Sequence, residues 1–302
     1  MPTVVITTNA SSVDVQPTWN LVTDLQQVLA YHFMQNAFEA GTLMALIAGT
    51  VGYFMVLRGQ SFAGHTLANV GFAGAAGAAL IGWSPVVGLL IFGIGTALLI
   101  DLLGGKHTKT QWGQDVAIGT IQTFALGLGL LFVRLYSSYA AGIYALLFGA
   151  VLGISDRDVV VIALTTAIAL LGLMAIARPL LFASIDPDVA EARGVPVRLL
   201  SRAFLILLAL AVAQAVQVVG VLLIFALLVT PAAIAQQVTA RPVVAIGLSI
   251  FLALLFTWTG LAIAYFTPYP VGFFITSFAF GTYCLVILLR LGWARFSRSK
   301  GV

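Results

Sequence analysis

Two polar side chains, His65 and Asn69, stand one helical turn apart inside the run SFAGHTLANVGFAGAAGAALIG, from Ser61 to Gly82. An imidazole is the commonest side-chain ligand for a transition metal, and an amide offers a carbonyl oxygen beside it. The i, i+4 spacing puts both on one face of a helix. At 1.5 Å per residue they lie about 10 and 16 Å in from Arg58, so Asn69 approaches the midplane of any bilayer this run crosses. A histidine at that depth is costly to leave unpaired, which makes His65 a candidate ion ligand. The competing reading is a histidine that only bonds a neighbouring carbonyl. A neutral imidazole with an amide brings no compensating charge and binds a divalent cation weakly.

A second concentration of chemistry lies at residues 178–202, RPLLFASIDPDVAEARGVPVRLLSR, which carries seven charges: Arg178, Asp186, Asp188, Glu191, Arg193, Arg198 and Arg202. Asp186 suits an N-cap, Pro187 the first helical position and Gly194 the exit. The pattern predicts a short helix outside the bilayer with a small, mixed face made by Val189, Ala190, Ala192 and the charges around them. Such a face suits docking on another protein; a solvated loop is the plain alternative. Elsewhere charge is scarce. Glu39 and Asp101 fall near span ends, and the lack of a midplane carboxylate weakens the reading as a proton-driven carrier. No G-x-x-x-x-G-K-[ST] loop is present, so ATP hydrolysis must be supplied by another chain. No His-Glu-x-x-His motif is present either, and Ser61 or Ser84 with a distant histidine is no catalytic constellation. Interhelical hydrogen bonding accounts for Gln122, Gln214, Gln217, Thr230, Gln236, Gln237, Thr257 and Tyr283. Pro231 should bend its span, as packing or as part of a gate.

The elements that must position these groups follow from composition. The chain of 302 residues is 61% hydrophobic and 8% charged, against roughly 25% charged in an average soluble domain. Its apolar runs approach the ~20 residues that cross hydrocarbon, so an all-α polytopic membrane protein is expected. Nine crossings are predicted, near 37–57, 62–82, 84–103, 116–135, 158–178, 203–218, 219–236, 243–266 and 271–290. The 14-residue run 141–154 would reach only about 21 Å, short of the ~30 Å core, and is read as re-entrant or as a short buried helix. Glycine and alanine make the second span a close-packing helix, with Gly71, Ala75 and Ala78, or Gly74 and Ala78, at the contact. No internal repeat stands out.

Basic residues set the expected orientation. If 141–154 does not cross, twelve Lys and Arg lie on one side and only Arg134 and Arg157 on the other. The positive-inside rule then puts the N-terminus outside, the C-terminus inside and 178–202 in the cytoplasm. The net charge of +4 sits at span ends and does not suggest nucleic acid. Residues 1–36 read as an extracytoplasmic extension whose second half, 18–36, is an interfacial helix. They carry no Lys or Arg and no h-region of an ordinary signal peptide. Residues 37–290 form the expected transmembrane domain and 291–302 a cytoplasmic basic tail. Cys284 is the single cysteine, so no intramolecular disulfide is possible.

Four stretches in this order resemble the integral-membrane permease of zinc/manganese-type ABC importers: LRGQSFAGHTLAN at 57–69, QDVAIGTIQTFALGLGL at 114–130, IDPDVAEARGV at 185–195 and VVGVLLIFALLVTPAAIA at 218–235. The resemblance spans most of residues 36–290. It implies a permease in the cytoplasmic membrane of a prokaryote, moving a zinc- or manganese-class ion as cargo and holding no resident cofactor. Its implied partners are a second permease subunit, a separate ATP-binding subunit and an extracytoplasmic metal-binding protein. Asp186, Asp188, Glu191 and Gly194 would belong to the region that docks on the ATPase, and the Ser61–Asn69 helix would line the metal path. One departure matters. Many members read Ser-Phe-x-Gly-Asp-x-x-x-His here, whereas this chain has His65 in place of the Asp and Asn69 in place of the His. The family's ligand pair is therefore not carried over intact; His65 stands as a candidate ligand and Asn69 as a supporting or carbonyl-oxygen donor. Two other readings stay open: a permease of the same architecture for a metal chelate, siderophore or cobalamin in type, and a stand-alone channel or secondary carrier.

Overall fold

Long apolar runs become helices because only hydrogen bonds within the segment satisfy a backbone that water cannot reach. The computed structural model describes residues 26–104, 111–135, 149, 151–221 and 223–299, and every long element among them is helical. In chain order these are α1 (His32–Leu57), α2 (Ser61–Leu80), α3 (Pro85–Gly104), α4 (Gln111–Leu135), α5 (Asp156–Ile185), α6 (Pro187–Ala192), α7 (Val197–Val219), α8 (Ile224–Leu228), α9 (Thr230–Val238), α10 (Pro242–Phe266) and α11 (Val271–Ser299), with a 3₁₀ turn at Val151–Gly153. Seven are long and apolar enough to cross a membrane: α1, α3, α4, α5, α7, α10 and α11. α2 is buried along most of its length. The outward faces of α4, α5 and α11 show Leu130, Leu164, Leu171, Phe280 and Leu288, as a surface against lipid requires.

Contacts between helices fix their directions. His32 Nε2 meets Asp156 Oδ1 at 2.8 Å, and Arg58 reaches Ser184 at 3.1 Å, so α1 and α5 run parallel from one end of the bundle to the other. α2 returns from the Arg58 end, and α4 follows it in parallel: Thr66 donates to Gln122 Oε1 at 2.8 Å, and Gly77 lies against Phe132. α4 therefore ends, and α5 begins, at the same end, opposite Arg58. The expected re-entrant or buried segment 141–154 lies between them. Apart from Gly149 and residues 151–154, it falls outside the described residues, as do the N-terminal residues 1–25.

Several boundaries differ from the sequence expectation. α1 starts at His32 rather than near 37, after a short helical stretch at 26–29 and a bend at Tyr31 (φ −96°, ψ 125°). α11 continues past 290 to Ser299. The largest difference is at 219–236, predicted as one crossing. There α7 stops at Gly220 (φ 84°), and the segment continues as two short pieces, α8 and α9, broken at Val229. Pro231 lies in the first turn of α9, where its missing N–H costs the helix nothing but prevents α8 from continuing through it. Apolar composition had hidden a discontinuous helix.

Small residues bring α2 and α3 into backbone contact. A Cβ on Gly74 would collide with the carbonyl oxygen of Gly88, and one on Gly88 with Gly74 and with Ala78 Cβ at 2.7 Å; Gly71 faces Leu89. Gly71, Gly74 and Ala78 of the predicted contact faces thus meet α3. Polar glue is sparse. Gln214 of α7 donates to the Ile162 carbonyl at 3.1 Å and bonds Thr165, while Thr166 donates to its Oε1 at 3.2 Å. Gln236 of α9 donates to the Tyr53 carbonyl at 2.9 Å. A buried amide left without such partners is expensive, so these bonds define which faces of α5, α7 and α9 meet their neighbours.

Candidate translocation and docking sites

His65 is the fifth residue of α2, and its ring meets Phe225 of α8 edge-on, with centroids 6.2 Å apart. Its Nδ1 is buried and has no hydrogen-bond partner. Among the described residues no neighbouring carbonyl accepts a hydrogen bond from that nitrogen. Asn69 lies one turn deeper and is 8% exposed. Its Nδ2 donates back to the His65 carbonyl at 3.1 Å, which orients the amide. The two residues therefore sit together, as their spacing predicts.

α8, the first piece of the broken segment, meets His65 through Phe225. Phe225 also lines a groove of about 560 Å³ with Val229, Thr230, Thr276, Phe280 and Tyr283, so the ring that meets the imidazole on one side borders a hollow at the helix break on the other. Broken helices beside a cavity are where membrane transporters place ion sites, because unwound backbone and half-helix ends supply polar groups at depth. Gly52 of α1 holds the break from behind, since a Cβ there would collide with the Leu228 carbonyl oxygen. Pro231 is thus positioned at the break. Among the described residues no three His, Cys, Asp or Glu side chains converge to hold a metal ion.

At the Arg58 end, α6 forms as its sequence predicts. Asp186 is the N-cap, its Oδ1 accepting from Val189 N at 3.0 Å, and Pro187 opens the helix. Asp188, Val189, Glu191 and Ala192 lie exposed, whereas Ala190, expected on the same face, is buried against the bundle because the helix turns it inward. Gly194 has φ 80°, and nothing lies within 4 Å of where its Cβ would stand. Its requirement is conformational alone. Gly194→Asn, which tolerates the left-handed region, should therefore preserve the exit of α6, whereas Gly194→Val should strain it by about 1–3 kcal/mol. If α6 docks on a partner, Gly194→Val and the charge reversal Glu191→Lys should leave the protein inserted but cut uptake per ATP hydrolysed; normal transport by both would refute docking.

Other contacts at this end escaped the sequence reading. Arg202 Nε bonds Asp101 Oδ2 at 2.8 Å, joining α7 to α3. Arg58 reaches hydroxyls on two helices more than 120 residues away. The available signal was only that an arginine follows the first span directly.

A bundle of long apolar helices, one broken beside a histidine and two joined by a short capped helix outside the apolar lengths, is the architecture of a membrane permease. Residues 30–290 match the ABC 3 transport family, and the chain belongs to it. It is 34% identical over 222 residues to the manganese transport system membrane protein MntC of Halalkalibacterium halodurans, covering 74% of this chain and 75% of that protein. It is 32% identical to the manganese import system permease protein ScaB of Streptococcus parasanguinis, covering 68% and 72%. Its fold matches PsaBC from Streptococcus pneumoniae, solved in complex with a Fab, with a TM-score of 0.78 at 28% identity over 88% of this chain and 95% of that one.

Proposed function

We propose that this chain is the permease subunit of an ABC importer that carries a divalent transition-metal ion of the zinc or manganese class across the cytoplasmic membrane of a prokaryote. The observation that carries the metal-ion reading is the unpartnered Nδ1 of His65 beside the break between α8 and α9. The imidazole and the amide oxygen one turn away offer donors to a bare ion. Kinship with manganese transport proteins supports the same class of cargo. The ion is substrate, and no resident cofactor is invoked.

In this reading the Arg58 end is cytoplasmic, the N-terminus is outside, and nine crossings arise by adding α2 and the α8–α9 pair to the seven long helices. α6 docks through Asp188 and Glu191 on an ATP-hydrolysing subunit, with Asp186 and Gly194 fixing its two ends. A second permease protomer places another His65 near the first, so that two imidazoles take one ion. An extracytoplasmic binding protein delivers that ion to the opposite end. Weak neutral ligation is an asset in a path, because an ion must leave as readily as it enters.

Reconstitution decides between this and a stand-alone channel or carrier. Proteoliposomes holding the permease with its ATPase and binding protein should accumulate Zn²⁺ or Mn²⁺ only with ATP, and the permease alone should pass neither. Uptake by the permease alone, without ATP, would establish the carrier or channel instead.

A further inference from the structure

Arg58 occupies the corner between α1 and α2, where only Gly59 and Gln60 separate it from the start of the histidine-bearing helix. Its Nη1 donates to Ser184 Oγ at 3.1 Å and its Nη2 to Ser201 Oγ at 2.6 Å. Ser184 lies in the last turn of α5, and Ser201 near the start of α7, so the two hydroxyls bracket α6 and its flanking turns on both sides. Ser184 in turn donates to the Leu180 carbonyl at 2.5 Å, which aims its lone pairs at the guanidinium. Beneath the cation lies the ring of the fully buried Phe204, 5.7 Å from Arg58 Cζ to its centroid. Among the described residues no carboxylate lies within ion-pair distance, and Nε is buried without a partner. The guanidinium is held instead by the two hydroxyls and the Phe204 ring.

We propose that Arg58 is a positioning residue that ties α6 to α2, so that displacement of α6 is passed to the helix bearing His65. This rests on the reading of α6 as the docking element. A planar guanidinium bonded to two helices at once resists their separation in a way that a flexible ammonium cannot. If α5 and α7 shift with α6, the cation must follow both hydroxyls or lose its hydrogen bonds within an apolar setting. Following them moves Gly59, Gln60 and the first turns of α2. The corner is short enough that His65, seven residues on, moves with it.

The test uses the assembled transporter in proteoliposomes, measuring Zn²⁺ or Mn²⁺ imported per ATP hydrolysed. Arg58→Gln should keep ATP hydrolysis but lower that ratio at least about fivefold, the lower end of typical coupling between sites. Arg58→Lys should recover part of it, since an ammonium keeps the charge but cannot span both hydroxyls. The double variant Ser184→Ala with Ser201→Ala keeps the guanidinium and its stacking on Phe204, and should lower the ratio too. A wild-type ratio in the serine double variant overturns the proposal, even if Arg58→Gln fails to assemble. A parallel fall of hydrolysis and uptake in both variants, with the ratio unchanged, overturns it equally, since that is the mark of lost stability alone. Glu191→Lys separates the two layers of inference. If it uncouples while the Arg58 and serine variants do not, only the role of Arg58 fails; if it too transports normally, the docking reading fails.

Discussion

Replacing His65 with alanine should abolish ion uptake, or slow it strongly, while ATP hydrolysis by the assembled complex persists. The reason is local. Among the described residues His65 holds the one imidazole against α8, and its Nδ1 has no partner to lose. Removing it should not unbalance the fold, as removing one member of a buried pair would. Its packing contact is an edge-on ring against Phe225, and alanine fits readily in a helix already built from glycine and alanine. Transport should therefore fall by at least the roughly 10–100-fold that loss of a mere supporting residue costs a metal site. Uptake assays in proteoliposomes and parallel phosphate release measure the two quantities. His65→Asp with Asn69→His restores a carboxylate and an imidazole one turn apart. It should tighten binding and move preference towards Mn²⁺, which favours oxygen ligands. Uptake unchanged in His65→Ala would mean that the histidine only packs its helix.

Gly88→Val should destabilise the permease severely. The Gly88 backbone lies against the Gly74 carbonyl oxygen and Ala78 Cβ, so a branched side chain must drive α2 and α3 apart along the most tightly packed crossing of the second span. Overpacking of this kind costs about 1–3 kcal/mol, or more where backbone rather than a side chain must yield. Because α2 also carries His65, the displaced helix should lose transport as well as stability. Gly95 in the same helix supplies the control: nothing lies within 4 Å of its Cβ position. Gly95→Ala should be neutral or gain up to about 1 kcal/mol of helix propensity. Thermal unfolding of the purified protein in detergent, followed by tryptophan fluorescence, checks both. Equal midpoints for the two variants would refute the close-crossing argument.

Kinship with manganese transporters and the His65–Asn69 pair pull in slightly different directions. Those relatives are named for manganese, whereas an imidazole and an amide without a carboxylate suit a borderline ion such as Zn²⁺ better. The reciprocal double substitution described above addresses this directly, because it changes the donor set and leaves the helix frame in place.

Much of this protein is written in local sequence. Apolar runs near the thickness of a bilayer determine helices, since each such helix satisfies its own backbone. Asp186, Pro187 and Gly194 determine α6, because capping, a preset φ and a left-handed exit act within a few residues. The alternation of glycine and alanine in α2 determines a close-packed face. His65 and Asn69 share a side of that helix by spacing alone.

The tertiary structure decided the rest, and for a common reason: those features depend on residues far apart in the chain. The break of 219–236 into α8 and α9 is not visible as a loss of apolar character; packing at Gly52 and the arrangement around Pro231 place it. That α8 meets His65 depends on Phe225, 160 positions away in sequence, and on α1 and α7 holding α8 against α2. The bond from Arg58 to Ser184 and Ser201, like that from Arg202 to Asp101, joins helices whose proximity no local pattern encodes. Composition specifies that helices form and which faces are small or apolar. Only their packing determines which polar atom is left without a partner, and that atom is where function is argued to lie.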